Sequence, residues 1–217
     1  RYGLLEPAEI QQAAREGKYK PGVKRRNWAR TVRGDYYTDE WGDTEENLDP
    51  SRWHPWESCS GMSMCYGNHW MENYDSSLIM SEKQFIVHFA DIVARGGCLL
   101  LLVNLEPQGS LRKNQEERLR QIGTWLKRYG EAIYATRICA PFKTAKIDYT
   151  QSKDGKTAYA IVKEPGAEIA LECELPDSST VTIIGTNERL ATRRDGKRLV
   201  VSIPPAYAAA PLPFALR

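Results

Sequence analysis

Apolar residues follow two different rhythms along this chain, and the change between them divides it. Within residues 81–94, Phe85, Ile86, Phe89, Ile92 and Val93 recur at steps of three and four, the spacing of one face of an α-helix. Ser81 has the side chain of an N-cap and Gly96-Gly97 ends the run, so the pattern predicts one amphipathic helix. Cys98-Leu99-Leu100-Leu101-Leu102-Val103 follows as an unbroken apolar run, which predicts a strand buried on both faces in a parallel sheet. Residues 114–129 then gather Leu119, Ile122, Trp125, Leu126 and Tyr129 on one helical face and charges on the other.

Helix, buried strand, helix is a β/α unit. In β/α barrels the chemistry sits on loops beyond the C-terminal ends of the strands, which is where Asn104, Glu106 and Gln108 fall. Past Tyr134 the rhythm changes to a period of two. Ile169, Leu171, Cys173 and Leu175 alternate with Glu168, Ala170, Glu172 and Glu174, and Leu199, Val201 and Ile203 alternate with Arg198, Val200 and Ser202. Turn pairs at Asp154-Gly155, Pro165-Gly166, Pro176-Asp177 and Asp195-Gly196 separate the runs. These short strands predict a small antiparallel β-sandwich over residues 143–217, an accessory domain without a cluster of catalytic residue types. The N-terminal 33 residues are polar, with a short helix expected at 7–14 and a strand at Tyr36-Tyr37-Thr38 leading into the stretch that follows.

Composition narrows the partners. With 41% hydrophobic and 27% charged residues, the 217 residues are globular material for one large domain or two modest ones. Thirty basic against 28 acidic residues leave a formal charge of +2, and Lys24-Arg25-Arg26 and Arg193-Arg194 are the main basic patches. No nucleic-acid module accompanies them. Five cysteines without C-x-x-C spacing argue against a disulfide framework or a zinc site. No apolar run has the length of a membrane span. His54, His69 and His88 are not paired at ligand spacing, and no G-x-S-x-G, P-loop or dinucleotide fingerprint occurs, so neither a metal nor a nucleotide cofactor is expected.

The candidate chemistry lies in residues 34–72, where acidic and aromatic residues interleave with little helical or strand periodicity. Glu40 stands near Tyr36, Tyr37 and Trp41, and Glu57 near Trp53 and Trp56. Hydrolysis of a glycosidic bond needs two carboxyl groups, and a proton donor works best where apolar neighbours favour its protonated form. Flat rings suit sugars because the C–H face of a pyranose stacks on them, which makes Trp56, Tyr66 and Trp70 candidates for substrate binding. Core packing accounts for each of these aromatic residues equally well, and a structural role for each glutamate.

Longer motifs carry a resemblance. Arg95-Gly96-Gly97-Cys98-Leu99-Leu100-Leu101-Leu102-Val103-Asn104-Leu105-Glu106-Pro107, then Glu117-Arg118-Leu119, Ile122-Gly123-Thr124-Trp125-Leu126 and Gly130-Glu131-Ala132-Ile133-Tyr134-Ala135-Thr136-Arg137, resemble the end of the catalytic barrel of α-L-fucosidases of glycoside hydrolase family 29. Upstream, Gly34-Asp35-Tyr36-Tyr37-Thr38-Asp39-Glu40 is similar to the family's G-D-Y-x-T-P-E and Trp56-Glu57-Ser58-Cys59 to its W-E-x-C. The resemblance implies an α/β architecture, the C-terminal part of a (β/α)8-like barrel over residues 1–142 followed by the sandwich over 143–217.

It further implies a retaining exo-α-L-fucosidase acting on fucosylated glycans by double displacement. By position in the motifs, Glu40 is the general acid/base and Glu57 a second acidic group that competes for that role. Arg1 matches an arginine of the fucose pocket, and Tyr66 the aromatic-Gly pair that stacks on the sugar. Cys98 stands where the family has Asn, and Pro107-Gln108-Gly109 is shorter than its P-x-x-D-G, departures read as altered substrate selection. The family's Asp nucleophile lies on an earlier strand, so the remainder of the barrel is expected as a partner segment outside these residues. A secreted, periplasmic or lysosomal location is implied as well. The alternative is a non-catalytic fucose-binding relative that keeps pocket and sandwich.

Overall fold

The computed structural model describes residues 12, 16, 55–63, 76–176, 178–186 and 188–217, together with the backbone of 37–40. Apart from Gln12, which is helical, the helix expected at 7–14 lies outside the described residues.

Three strands form a parallel sheet in the order β1 (Tyr37–Glu40), β2 (Trp56–Gly61), β3 (Gly97–Leu102). Between β2 and β3 the chain makes the helix Glu82–Ala94. Ser81 caps it, accepting from the Gln84 amide at 3.2 Å while the Gln84 side chain accepts from the Ser81 amide at 2.8 Å, a reciprocal capping box. Phe85, Ile86 and Ile92 turn inward as their spacing predicts, with Ala90 beside them, while Phe89 and Val93 are half-buried. A second helix, Lys113–Tyr129, follows β3 and buries Ile122, Trp125 and Tyr129. Met62, Met80, Phe85 and Ile122 form a small core under the sheet, with Leu99, Leu101 and Leu119 packed against it.

The apolar run in β3 departs from the expectation of burial on both faces. Cys98 and Leu100 are exposed, Leu100 by 46%, while Leu99 and Leu101 lie toward the helices. Both helices pack on one side of the sheet, so only every second residue of β3 gains cover from them.

The C-terminal half is antiparallel. One sheet has the order β10 (Phe214–Leu216), β6 (Ala158–Val162), β5 (Ile147–Ser152), β4 (Thr136–Lys143), and the other the order β7 (Glu168–Leu171), β9 (Arg198–Ser202), β8 (Thr192–Asp195). The first begins at Thr136, upstream of residue 143, and its β4–β5 register shifts between Ile138 and Lys143, around a cis Ala140-Pro141 bond. Gly196, at φ +60°, closes the hairpin between β8 and β9 in a conformation that suits glycine. Both sheets share one core, in which Tyr149, Ile161 and Phe214 meet Ile169, Leu171 and Val201, and Ile86, Trp125 and Tyr129 of the two helices join them. The Trp125 indole donates to the Pro213 carbonyl at 2.7 Å, tying the second helix to the chain entering β10. None of the four described cysteines is in a disulfide. Among the described residues no helix is long and apolar enough to cross a membrane.

Candidate active site

Strand β2 organises the site because its residues alternate in environment. Trp56, Ser58 and Ser60 are fully buried on the helix side, whereas Glu57 and Cys59 are half-buried on the opposite face. Ser58 and Ser60 share a hydrogen bond of 2.8 Å, and His88 Nε2 of the helix Glu82–Ala94 lies 3.2 Å from Ser60 Oγ. Small hydroxyl side chains in a buried strand leave room for His88 and give it a partner. Burial, the largest influence on its ring, lowers the His88 pKa below 6.5.

Parallel register fixes where the two glutamates stand. Glu57 pairs with Thr38 of β1 and Cys98 of β3, and Glu40, the last residue of β1, pairs with Cys59. Glu40 and Glu57 are therefore on neighbouring strands two register steps apart, a backbone separation of about 8 Å from strand geometry. Glu40 lies at the C-terminal end of its strand and Glu57 near the N-terminal end of its own. Arg1, Tyr66 and Trp70 fall outside the described residues, as do His54 and His69.

Trp56 is a correction. Its side chain is 1% exposed, its indole N–H donates to the Arg95 carbonyl at 3.2 Å, and the Arg95 guanidinium sits 5.3 Å from its ring centroid. Gly97, its register partner on β3, leaves no space beside the ring: a Cβ there would come within 2.4 Å of it. The ring is a packing element behind the sheet and not a platform for a sugar.

Beyond β3 the loop is fastened down. The Asn104 amide donates to Gln115 Oε1 at 2.7 Å and Gln115 Nε2 donates to Asn104 Oδ1 at 3.2 Å, both residues being buried. Glu106 pairs with Arg112 at 3.2 Å, and the Gln108 side chain donates to Ser110 Oγ at 3.1 Å. The polar residues expected at this strand end are thus held by one another and by the second helix.

A charged cluster lies behind the site where the first helix meets the antiparallel sheet. Asp91 is held by Arg95 at 2.6 Å and by Lys143 at 2.9 Å. Although burial alone raises its pKa, these cations win and hold the carboxyl below the ordinary value. Asp148 is 0% exposed, with Lys163 at 2.6 Å from one oxygen and no partner on the other. Burial there outweighs the lysine and pushes Asp148 up to about 6. Sequence reading missed this cluster and the Ser58–Ser60–His88 chain. The available signals were two serines at alternate positions of β2 and the i, i+3, i+7 spacing of His88, Asp91 and Arg95.

The α-L-fucosidase family model matches residues 9–131, more than half of the chain and all of the parallel sheet. The chain belongs to the α-L-fucosidase family. It is 30% identical to the α-L-fucosidase of Dictyostelium discoideum over 70% of this chain and 32% of that protein, and 33% identical to the plasma α-L-fucosidase of Rattus norvegicus over 59% and 28%. The chain therefore spans about a third of the length of these curated relatives. Among solved structures, the Thermotoga maritima α-fucosidase bound to a mechanism-based inhibitor superposes with a TM-score of 0.69 at 27% identity, covering 85% of this chain and 42% of that one. A Bacteroides thetaiotaomicron α-L-fucosidase shares the fold, with a TM-score of 0.69 at 23% identity over 86% of this chain and 43% of its own. Both glutamates lie inside the matched α-L-fucosidase region, and Arg1 lies before it.

Proposed function

We propose that this chain is the C-terminal portion of a retaining exo-α-L-fucosidase that releases terminal α-L-fucose from glycans. Glu40 is the general acid/base, Glu57 the neighbouring acidic group, and the Asp nucleophile is supplied from outside these residues. In the first step Glu40 gives its proton to the leaving glycosidic oxygen as the Asp attacks the anomeric carbon. In the second it takes a proton from the water that releases the fucosyl group. Arg1, Tyr66 and Trp70 complete the pocket around the sugar.

The observation that carries the reading is the register that sets Glu40 beside β2 at the C-terminal end of β1, the end on which β/α barrels hold their chemistry. The finer architecture belongs to the same proposal. The residues before Thr136 contribute strands and helices to a (β/α)8-like barrel, and the antiparallel sheets form a β-sandwich that begins with β4 at Thr136, ahead of the boundary expected at 143. The rest of the barrel is the partner that covers Cys98 and Leu100 and pairs with the outer edge of β3, which among the described residues has no neighbouring strand. A secreted, periplasmic or lysosomal location fits relatives named plasma α-L-fucosidases.

The test uses the full-length protein and an aryl α-L-fucoside. Glu40→Gln should lower turnover by about 10²–10⁴-fold with a poor leaving group. With a good leaving group, added azide should restore part of it as fucosyl azide. Rescue confined to Glu57→Gln would reverse the two roles. A full-length protein that binds fucose but never turns over an aryl fucoside would be the non-catalytic relative instead.

A further inference from the structure

The helix Glu82–Ala94 and its C-cap carry one polar stripe, His88, Asp91 and Arg95, on an otherwise apolar inner surface. Two separate parts of the protein meet there. On one side the stripe holds β2: His88 reaches Ser60, and Arg95 both accepts from the Trp56 indole and covers its ring at 5.3 Å. On the other it holds the antiparallel sheet, because Lys143 of β4 binds Asp91 Oδ1 at 2.9 Å while Arg95 binds Oδ2 at 2.6 Å. The contacts form an unbroken path, Lys143 to Asp91 to Arg95 to Trp56, and Trp56 directly precedes Glu57.

Each link is oriented by the next. The Asp91 carboxylate has one oxygen engaged by each cation, so its orientation is set from both sides. The Arg95 fork is further fixed by its Nε, which donates to the Asp91 carbonyl at 3.3 Å. Arg95 is 5% exposed and Trp56 is 1% exposed, and the Trp56 ring is wedged against Gly97. Apolar residues of similar volume would bind these elements as tightly, because a buried ion pair recovers little more than its desolvation cost. What the paired charges add is one geometry for the join.

We propose that Lys143, Asp91 and Arg95 are positioning residues through which the antiparallel sheet fixes the placement of β2 and hence of Glu57, an inference that rests on Glu57 belonging to the fucosidase site. The C-terminal sheets then take part in setting the site's geometry and do not serve only as an accessory domain.

Lys143→Met in the full-length protein is the direct test, since Lys143 is the exposed end of the path and its loss leaves Asp91 and Arg95 paired. Hydrogen exchange of the β2 amides should quicken about tenfold, and kcat on an aryl α-L-fucoside, well below the melting temperature, should fall by a similar factor with KM little changed. Lys143→Arg should retain both. Unchanged β2 exchange and unchanged kcat in Lys143→Met, with only a lower melting temperature, would overturn the proposal and leave an ordinary surface ion pair. Exchange is read without turnover. A wild-type protein inactive on the fucoside would therefore remove the fucosidase reading, while the exchange result still decides whether the sheet is coupled to β2.

Discussion

Gly97 is small because Trp56 needs the room. The two are register partners on adjacent strands, and a methyl group on Gly97 would lie 2.4 Å from Cζ2 and 2.5 Å from Cε2 of the indole. The ring cannot swing away cheaply, since its N–H is spent on the Arg95 carbonyl and the Arg95 guanidinium lies over it. Gly97→Ala should therefore destabilise the protein by about 1–3 kcal/mol, the usual cost of overpacking a filled core. Urea unfolding followed by tryptophan fluorescence measures it. Gly123→Ala is the control: the space beside that glycine is open, and alanine favours the surrounding helix. Equal losses in the two variants would mean that the Trp56 contact is not what selects glycine at position 97.

The elements differ in how readable they were. The two helices could be placed from periodicity because an amphipathic stripe records the packed layer in the local sequence, whereas β3 was placed by its unbroken apolar run, which marks a strand but not which of its faces is covered. The capping box at Ser81 and Gln84 was half visible, as the N-cap. It predicts that Ser81→Ala costs about 1 kcal/mol, seen as a lower urea midpoint and faster amide exchange in the first helical turn. Strand β2 was not readable as a strand. Its inward residues are a tryptophan and two serines, so hydropathy shows no alternation, and the side chain that partners Ser60 there is His88, 28 residues away. The start of the antiparallel sheet at Thr136 was hidden for a similar reason: Ala140-Pro141 interrupts β4 with a residue that cannot donate to the ladder. For the candidate site, motif spacing marked both glutamates, and the pairing of β1 with β2 supplied their mutual placement. Aromatic character alone made Trp56 a candidate sugar platform, whereas the cover that makes it a core residue comes from Arg95 at the end of the helix and Gly97 at the start of β3, about 40 residues on.

At the scale of the whole molecule, a half-buried histidine of the helix layer and a buried aspartate of the antiparallel sheet respond to pH in opposite directions. The folded protein raises the Asp148 pKa from an ordinary 3.8 to about 6, chiefly through burial. A carboxyl shifted upward stabilises the fold fully below its unfolded value of 3.8, and that contribution is lost as the pH rises through about 6. His88 works against it in the same range. Its folded pKa is lowered from 6.5, so the folded state resists the proton that the unfolded chain accepts as the pH falls below that value. Asp91, shifted below 3.8 by its cations, acts only at more acidic pH. Wild-type stability alone would therefore mix the two opposing groups between pH 7 and pH 5, and a difference measurement separates them. Relative to Asp148→Asn, in which His88 is unchanged, the wild type should gain about 1 kcal/mol on going from pH 7 to pH 5. Urea unfolding of both proteins at the two pH values gives that difference. Parallel stability profiles would show that Asp148 is already charged and satisfied by Lys163 at pH 5, and that burial does not dominate there.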